Sequence, residues 1–441
     1  MTDRETVTPA APGLYRLLRR VTDVRPVEMR AVAWSWLYIV SILSSYYIMR
    51  PIRDQMGVAG GLNNLPWLFT ATLVGMILLN VPFAALVKAL PRSRFIPITY
   101  RFFAANILLF AAALALADPE QRIWVGRVFF VWLSVFNLFV ISIFWATVVD
   151  VFSSEQGKRL FGFIAAGATV GAIFGSGLTA ALARHVSPVA LLAAAALLLE
   201  VAVFSVGHLS RLSANLRAAP ARAGERPIGG SVLAGITHAL RSPYLLNVSL
   251  FLLLYALTST LLYFQQAGVV SRSFQDRGAQ TAFFATVDLM VNVLTLFIQL
   301  FLTGRILRVL GVGPALALLP ALSVIGFGVL ALVPTVASVV AFQVLRRAGN
   351  FAIARPSREV LFTVVPREDR YKAKSFIDTV VYRAGDQIGA WLSPLLAGWG
   401  AATAVIAIPI SLLWLFNALW LGRRQDVLAA EREAVPASAG S

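Results

Sequence analysis

Two arginines, Arg346 and Arg347, stand side by side inside the stretch 335–356, which otherwise has the composition of a membrane-spanning helix. A charge at the middle of a bilayer costs roughly 3 kcal/mol or more, so it persists only where it meets a wet cavity or a partner. Adjacent guanidiniums at that depth imply an aqueous compartment inside a helical bundle, suited to negative charge. The chemistry on offer is anion binding rather than bond making. Cysteine is absent and histidine numbers three, which excludes thiolate and disulfide chemistry and leaves no candidate metal cluster. No nucleophile triad, carboxylate pair or phosphate loop points to an enzyme. No cofactor is expected.

Other polar residues fall in stripes along apolar stretches. Asp288, Asn292, Thr295 and Gln299 share one helical face of the stretch 280–303. Gln343, Arg346 or Arg347, and Asn350 form a second stripe. Asp378, Tyr382 and Asp386 form a third, with Arg383 a quarter-turn away. Tyr255, Ser259 and Tyr263 lie on 244–268, and Arg127, Ser134 and Asn137 on 123–149. Tyr46, Tyr47, Arg50, Arg53 and Asp54 stand at the end of the first stretch. These groups suit a path for a charged solute, the tyrosines stacking on a planar ring. The alternative is structural: Arg346, Arg347 and Arg383 can be matched one for one with Asp288, Asp378 and Asp386, as buried charges usually are. Arg50 and Arg53 have their own alternative, snorkelling to headgroups. Asp150 and Glu155 read as cytoplasmic gating groups. Glu200, in the middle of 187–209, finds no role on sequence grounds.

The elements that position these residues follow from composition. Of 441 residues, 58% are hydrophobic and 13% charged, with a mean hydropathy of +0.76. A soluble domain is about a quarter charged, so this is an integral membrane protein. Apolar windows long enough to cross ~30 Å of hydrocarbon recur along the chain. Roughly twelve are readable: 31–52, 65–87, 95–117, 123–149, 160–183, 187–209, 244–268, 280–303, 312–332, 335–356, 374–398 and 401–421. The expected class is an all-α membrane protein of twelve transmembrane helices.

A net charge of +17 invites a nucleic-acid reading, but the distribution opposes it. Arg16, Arg19, Arg20, Arg25 and Arg30 precede the first stretch. Lys88, Arg92 and Arg94 follow the second, Lys158 and Arg159 the fourth, and Arg211, Arg217, Arg222 and Arg226 the sixth. Arg305 and Arg308 follow the eighth; Arg367, Arg370, Lys372 and Lys374 the tenth; Arg423 and Arg424 the last. All fall on one side. Loops on the other, such as Val333-Pro334-Thr335 and Gly398-Trp399-Gly400, are short and nearly uncharged. The positive-inside rule places both termini in the cytoplasm. The basic loops face anionic lipid rather than a nucleic-acid polymer. The first 30 residues carry too many charges for a cleavable signal. Arginine far outnumbers lysine, a usage that fits a GC-rich bacterial genome; the expected location is the bacterial inner membrane.

The organisation is two-fold. Residues 1–30 read as an N-terminal segment, 31–209 as one six-helix bundle and 210–243 as a polar linker with a short helix near 231–241. Residues 244–421 read as a second six-helix bundle and 422–441 as a tail. The halves echo weakly, as transporter repeats do. Lys88 to Arg94 corresponds to Gly304 to Gly311, Glu155 to Arg159 corresponds to Glu368 to Lys372, and Gly171 and Gly175 correspond to Gly385 and Gly389. Gly167, Gly171 and Gly175 recur every fourth residue, a face on which two helix backbones approach closely. Such a face reads first as packing, and second as the place where two halves rock. A 6+6 chain with basic loops after the second and eighth spans resembles the major facilitator superfamily.

Three segments are similar to the nucleotide (ATP:ADP antiporter-like) transporter family of plastids and intracellular bacteria. They are Tyr47-Ile-Met-Arg50-Pro-Ile-Arg53-Asp54, then Phe144-Trp145 through Asp150 with Lys158-Arg159-Leu-Phe161-Gly162, and Arg355-Pro356-Ser357-Arg358-Glu359 through Lys372-Ala-Lys374-Ser-Phe-Ile377-Asp378. The resemblance covers most of the chain in order and implies the facilitator fold. Arg53 stands where that family has a substrate-linked lysine, and Asp386 where it has another. Charge is kept at the first position and reversed at the second.

Three readings of function follow. The first is a secondary carrier of an organic anion, a nucleotide or phosphorylated metabolite heading the candidates, working as a monomer by alternating access. Its substrate would meet Arg50, Arg53, Asn137, Tyr255, Tyr263, Asn292, Arg346, Arg347, Asn350 and Tyr382. Coupling or gating would fall to Asp54, Asp150, Asp288, Asp378, Arg383 and Asp386. The second is a proton-coupled exporter of drug-like molecules, which uses the acids but not the arginines. The third is a non-transporting scaffold or sensor. The charge asymmetry predicts that alkaline phosphatase fused after Arg424 is inactive while a fluorescent protein fused there fluoresces; the opposite pair of results overturns the orientation.

Overall fold

The computed structural model describes residues 24–89, 92–216, 242–365, 373–374, 376–398 and 403–434. The expected linker helix near 231–241, most of the N-terminal segment and the basic run at Arg367 to Lys372 lie outside them. The described residues are almost entirely helical. In chain order they form α1 Met29–Ala59, α2 Leu65–Ala89, α3 Arg92–Leu116, α4 Pro119–Val151, α5 Ser154–Leu182, α6 Pro188–Leu216 and α7 Pro243–Ser273. There follow α8 Arg277–Phe301, the short α9 Thr303–Leu310, α10 Val312–Leu332, α11 Val336–Gly349, α12 Arg355–Leu361, α13 Tyr382–Gly398 and α14 Thr403–Ala434. Ten helices among the described residues are long and apolar enough to cross a membrane.

Helix starts follow local chemistry. Asp118 and Ser153 each close a capping box, with Gln121 and Gln156, at the heads of α4 and α5. Ser242, Asp276 and Thr335 cap α7, α8 and α11 through side-chain oxygens. Such bonds satisfy amide donors that the helix itself leaves open.

Proline enters two helical runs without ending them. Pro51 lies inside α1, which runs on to Ala59. Pro356 follows a π turn, Asn350–Ala354, that carries α11 into α12. A proline deprives the preceding turn of a donor, and a π turn bonds five residues back rather than four. The carbonyls left over are taken up by side chains: Thr303 Oγ1 donates to Ala352 O at 2.8 Å and Gln299 Nε2 to Phe351 O at 3.5 Å. Gln299 therefore leaves the polar stripe to cap a broken helix. A second π turn, Ile377–Val381, leads into α13.

The chain divides into two compact units. One comprises Met1–Met56, Val74–Gly224 and Thr281–Thr286; the other comprises Gly57–Leu73, Glu225–Gln280 and Val287–Ser441. In the first, α3 packs along α6, and an aromatic core forms around Phe103, Phe129, Trp132 and Phe136. A buried polar chain ties three of its helices: the Tyr38 and Tyr100 hydroxyls lie 2.7 Å apart, and Tyr100 also donates to Val140 O at 3.2 Å. In the second unit α10 packs along α14, and α13 and α14 pack on α7.

Each unit contains the same glycine seam. A Cβ on Gly171 would lie 2.5 Å from Val40 O, and one on Gly175 2.4 Å from Ser44 O, so α5 rides directly on the backbone of α1. A Cβ on Gly385 would lie 2.6 Å from Leu253 O and one on Gly389 2.9 Å from Leu257 O, so α13 rides on α7 in the same way. Both seams lie within a unit. Their close approach locks helices together within each unit. Gly175→Ala is expected to cost about 1–3 kcal/mol by forcing α5 off α1, whereas Gly162→Ala, with open space around it, is expected to leave the melting temperature in detergent unchanged.

Candidate functional site

Arg346 is the best-buried charge of the second unit, 1% exposed on α11. Its Nε donates to Ser323 Oγ at 3.2 Å on α10; its Nη2 donates to Thr258 Oγ1 at 2.7 Å and Tyr255 O at 3.1 Å on α7. Both hydroxyls pass their own protons to the helix that carries them, Ser323 to Leu319 O and Thr258 to Leu254 O. That back-bonding turns an oxygen lone pair toward the guanidinium. The ring of Tyr255 lies 5.2 Å from the guanidinium carbon and that of Trp414, on α14, 5.7 Å. Aromatic faces of this kind attract a cation without cancelling its charge. Among the described residues no carboxylate meets Arg346.

Around it the other charges are paired. Arg347 Nη1 meets Asp288 Oδ1 on α8 at 2.6 Å. Arg347 Nη2, also buried, has no partner among the described residues. Asn292, one turn on from Asp288, donates to that residue's carbonyl at 2.8 Å. Arg383 meets Asp386 at 3.3 Å along α13, and Thr260 Oγ1 on α7 donates to Asp386 at 3.0 Å. Tyr382 joins the groups, 6.2 Å from Tyr255 and 5.9 Å from the Arg383 guanidinium carbon.

Of the three arginines that the structural alternative matches with acids, two are so paired, Arg347 with Asp288 and Arg383 with Asp386. Asp378 pairs instead with Arg358 on α12 at 3.2 Å. The cause is the π turn between Asp378 and Tyr382, which adds a residue to the turn and rotates Asp378 off the stripe of Tyr382 and Asp386. With Arg347, Arg358 and Arg383 paired, Arg346 is the guanidinium left over in this group.

In the first unit Arg53 donates to Asp54 at 2.6 Å and lies 4.9 Å over the ring of Phe130 on α4. Arg50 lies 4.0 Å from the same carboxylate and 5.7 Å from the Tyr47 ring. The three side chains are mostly buried and interlocked, which does not fit snorkelling. Asn137 and Asp150 lie partly buried along α4. Tyr263 packs 5.8 Å from Phe69, within the second unit, and Asn350 opens the π turn after α11. The Asn350 backbone amide donates to the Arg346 and Arg347 carbonyls.

Before the first span, Glu28 is 2% exposed and accepts from Arg159 at 2.8 Å, Gln156 at 3.0 Å and the Arg25 amide at 3.0 Å. Burial opposes its ionisation, but these donors together hold its carboxyl below the usual range. Glu155 meets Arg25 at 3.7 Å on the exposed surface. Glu200 finds a partner in Arg101 on α3, at 3.5 Å.

Thr258, Thr260, Ser323 and Trp414 were not anticipated. Serine and threonine inside apolar helices commonly satisfy themselves on their own backbone, and nothing in their spacing set these apart from others that do only that.

No known family model matches the chain. The ADP,ATP carrier protein 1 of Chlamydia muridarum is 23% identical over 244 residues, 46% of this chain and 46% of that protein. The ADP,ATP carrier protein 1 of Chlamydia trachomatis serovar D is 23% identical over 232 residues, 46% of this chain and 44% of that one. The match thus spans under half the length of these relatives. Among solved structures, a bacterial homologue of the iron transporter ferroportin, in an inward-facing state, superposes with a TM-score of 0.61 at 14% identity, covering 90% of this chain and 98% of its own. The nucleoside transporter NupG gives 0.52 at 14% identity, covering 92% and 99%. A bacterial homologue of the lysosomal transporter Spinster also gives 0.52 at 14%, covering 92% and 94%. At such identities these likenesses show the fold alone.

The Arg347–Asp288 geometry predicts strong non-additivity. Arg347→Gln and Asp288→Asn alone each leave a buried charge behind and are expected to destabilise by about 3 kcal/mol or more. The double variant, measured by thermal unfolding in detergent, is expected to be more stable than either single one.

Proposed function

We propose that this chain, a divergent relative of the ADP,ATP carriers on a major-facilitator-like fold, is a secondary transporter moving an organic anion by alternating access. Its architecture in this reading is twelve spans in two bundles, 31–209 and 244–421, joined by a cytoplasmic linker, in a bacterial inner membrane with both termini cytoplasmic. A nucleotide or phosphorylated metabolite heads the substrate classes. One observation carries the proposal: Arg346 is a buried guanidinium whose described partners are all neutral. A site with one cation in excess of its carboxylates sets up a positive potential in a low-dielectric interior, where it acts far more strongly than in water.

The paired groups then have a mechanical role. An incoming anion competes with Asp288 for Arg347, whose second nitrogen already lacks a described partner. Ligand binding shifts an equilibrium only through different affinity for its two states, and exchange of the Arg347 partner supplies such a difference. Tyr255 and Tyr382 offer ring faces beside the cation, while Asn292, Asn350 and Tyr263 offer polar contacts from neighbouring turns. Arg50, Arg53 and Asn137 of the first unit are further substrate contacts in this reading. Asp54, Asp150, Asp378, Arg383 and Asp386 hold the ion pairs that change between states. The proton-coupled exporter is the second reading, favoured by Asp386, a buried carboxylate held among the described residues by Thr260 and its own-helix neighbour Arg383.

Uptake of radiolabelled ATP into proteoliposomes loaded with ADP tests the proposal, with and without an imposed proton gradient. Exchange is expected in the parent, and Arg346→Gln is expected to reduce it roughly 30-fold or more, the effect of removing one member of a buried charged contact. Undiminished exchange by folded Arg346→Gln removes Arg346 from the site. Gradient-driven export of a neutral or cationic solute, with no nucleotide exchange, replaces the anion carrier with the exporter.

A further inference from the structure

Arg101 on α3 and Glu200 on α6 form an ion pair on the outside of an apolar surface. Glu200 lies near the middle of the span Pro188–Leu212 and Arg101 inside Phe95–Leu116. Yet their side chains are 45% and 65% exposed. The face around them is apolar and open: Leu197 and Phe204 flank Glu200 at helical spacing, and Ile98 and Leu108 flank Arg101. An outward apolar face on a spanning helix meets lipid, which solvates no charge. The pair satisfies itself poorly. Its contact is a single bond of 3.5 Å from Arg101 Nε to Glu200 Oε2. The other guanidinium nitrogens and the other carboxylate oxygen have no partner among the described residues.

A surface holding one cation and one anion side by side is complementary to itself. Rotated about a two-fold axis, Arg101 of one copy faces Glu200 of the partner subunit and the reverse, so a second copy supplies each ion with its missing partner at once. We propose that the α3–α6 face is where a second copy of this chain docks in the membrane. The four charges form a ring buried between the copies, and the flanking leucines, isoleucine and phenylalanine cover it from lipid. A dimer replaces the monomer expected from sequence, and the inference does not depend on what the chain transports.

Charge reversal tests it in a way that an internal ion pair cannot imitate. Two differently tagged copies are co-expressed and one tag is used for capture from mild detergent. The parent is expected to co-purify with its mate. Arg101→Glu alone and Glu200→Arg alone each place like charges across the axis and are expected to lose the mate. Co-expressing the two single variants restores opposite charges only between copies, so capture is expected to return, although neither chain has regained its internal pair. The double variant R101E/E200R is expected to behave as the parent. A parent that purifies without its mate overturns the proposal, as does failure of the mixed variants to pair while each elutes as a folded species. Either result leaves the pair to a lipid headgroup or another membrane partner.

Discussion

A bilayer does not solvate charge, and that constraint governs the placement of Arg346. Its guanidinium is held by two hydroxyls and a carbonyl and flanked by two aromatic faces. None of these neutralises it. Every other arginine described near it has a carboxylate. The arrangement keeps a full positive charge where neutralising it would have required a single acid. Stability alone gives no reason for the difference, because a paired or apolar residue at that position costs less. An anion that visits the site gives one.

The rigid parts of each unit serve that placement. Glycine lets α13 lie against the backbone of α7, which sets Tyr382, Arg383 and Asp386 at a fixed distance from Tyr255 and Thr260. The π turns before α12 and α13 do the opposite. They break the helical register where a regular helix would have aligned all its polar groups on one stripe. Backbone carbonyls beside Pro356 accept from Thr303 and Gln299. The first unit repeats the glycine seam with α5 and α1 and carries its own cluster of Arg50, Arg53 and Asp54.

Much of this was legible in the residues. The apolar windows, the adjacent arginines in one of them and the paired glycines of the two halves are strong signals, because hydrocarbon punishes every exception to the pattern. What escaped depends on small rotations. Asp378 was placed on a stripe with Asp386, and a single extra residue in a turn sent it to Arg358. The Thr258 and Ser323 contacts depend on which way a back-bonded hydroxyl turns its lone pairs, a matter of packing between α7, α10 and α11 that no local pattern encodes. Glu200 had no partner in sequence because Arg101 lies on another helix.

The uncompensated charge at Arg346 is tested most directly by ligand-dependent unfolding of purified protein, titrated with ATP and, separately, with adenosine. A ligand that binds only the folded state raises the midpoint by mass action. The account predicts a rise with ATP in the parent, none with adenosine, and loss of the ATP effect in Arg346→Met. An equal rise with ATP in folded Arg346→Met would show that the buried guanidinium does not select the anion, and would contradict the account.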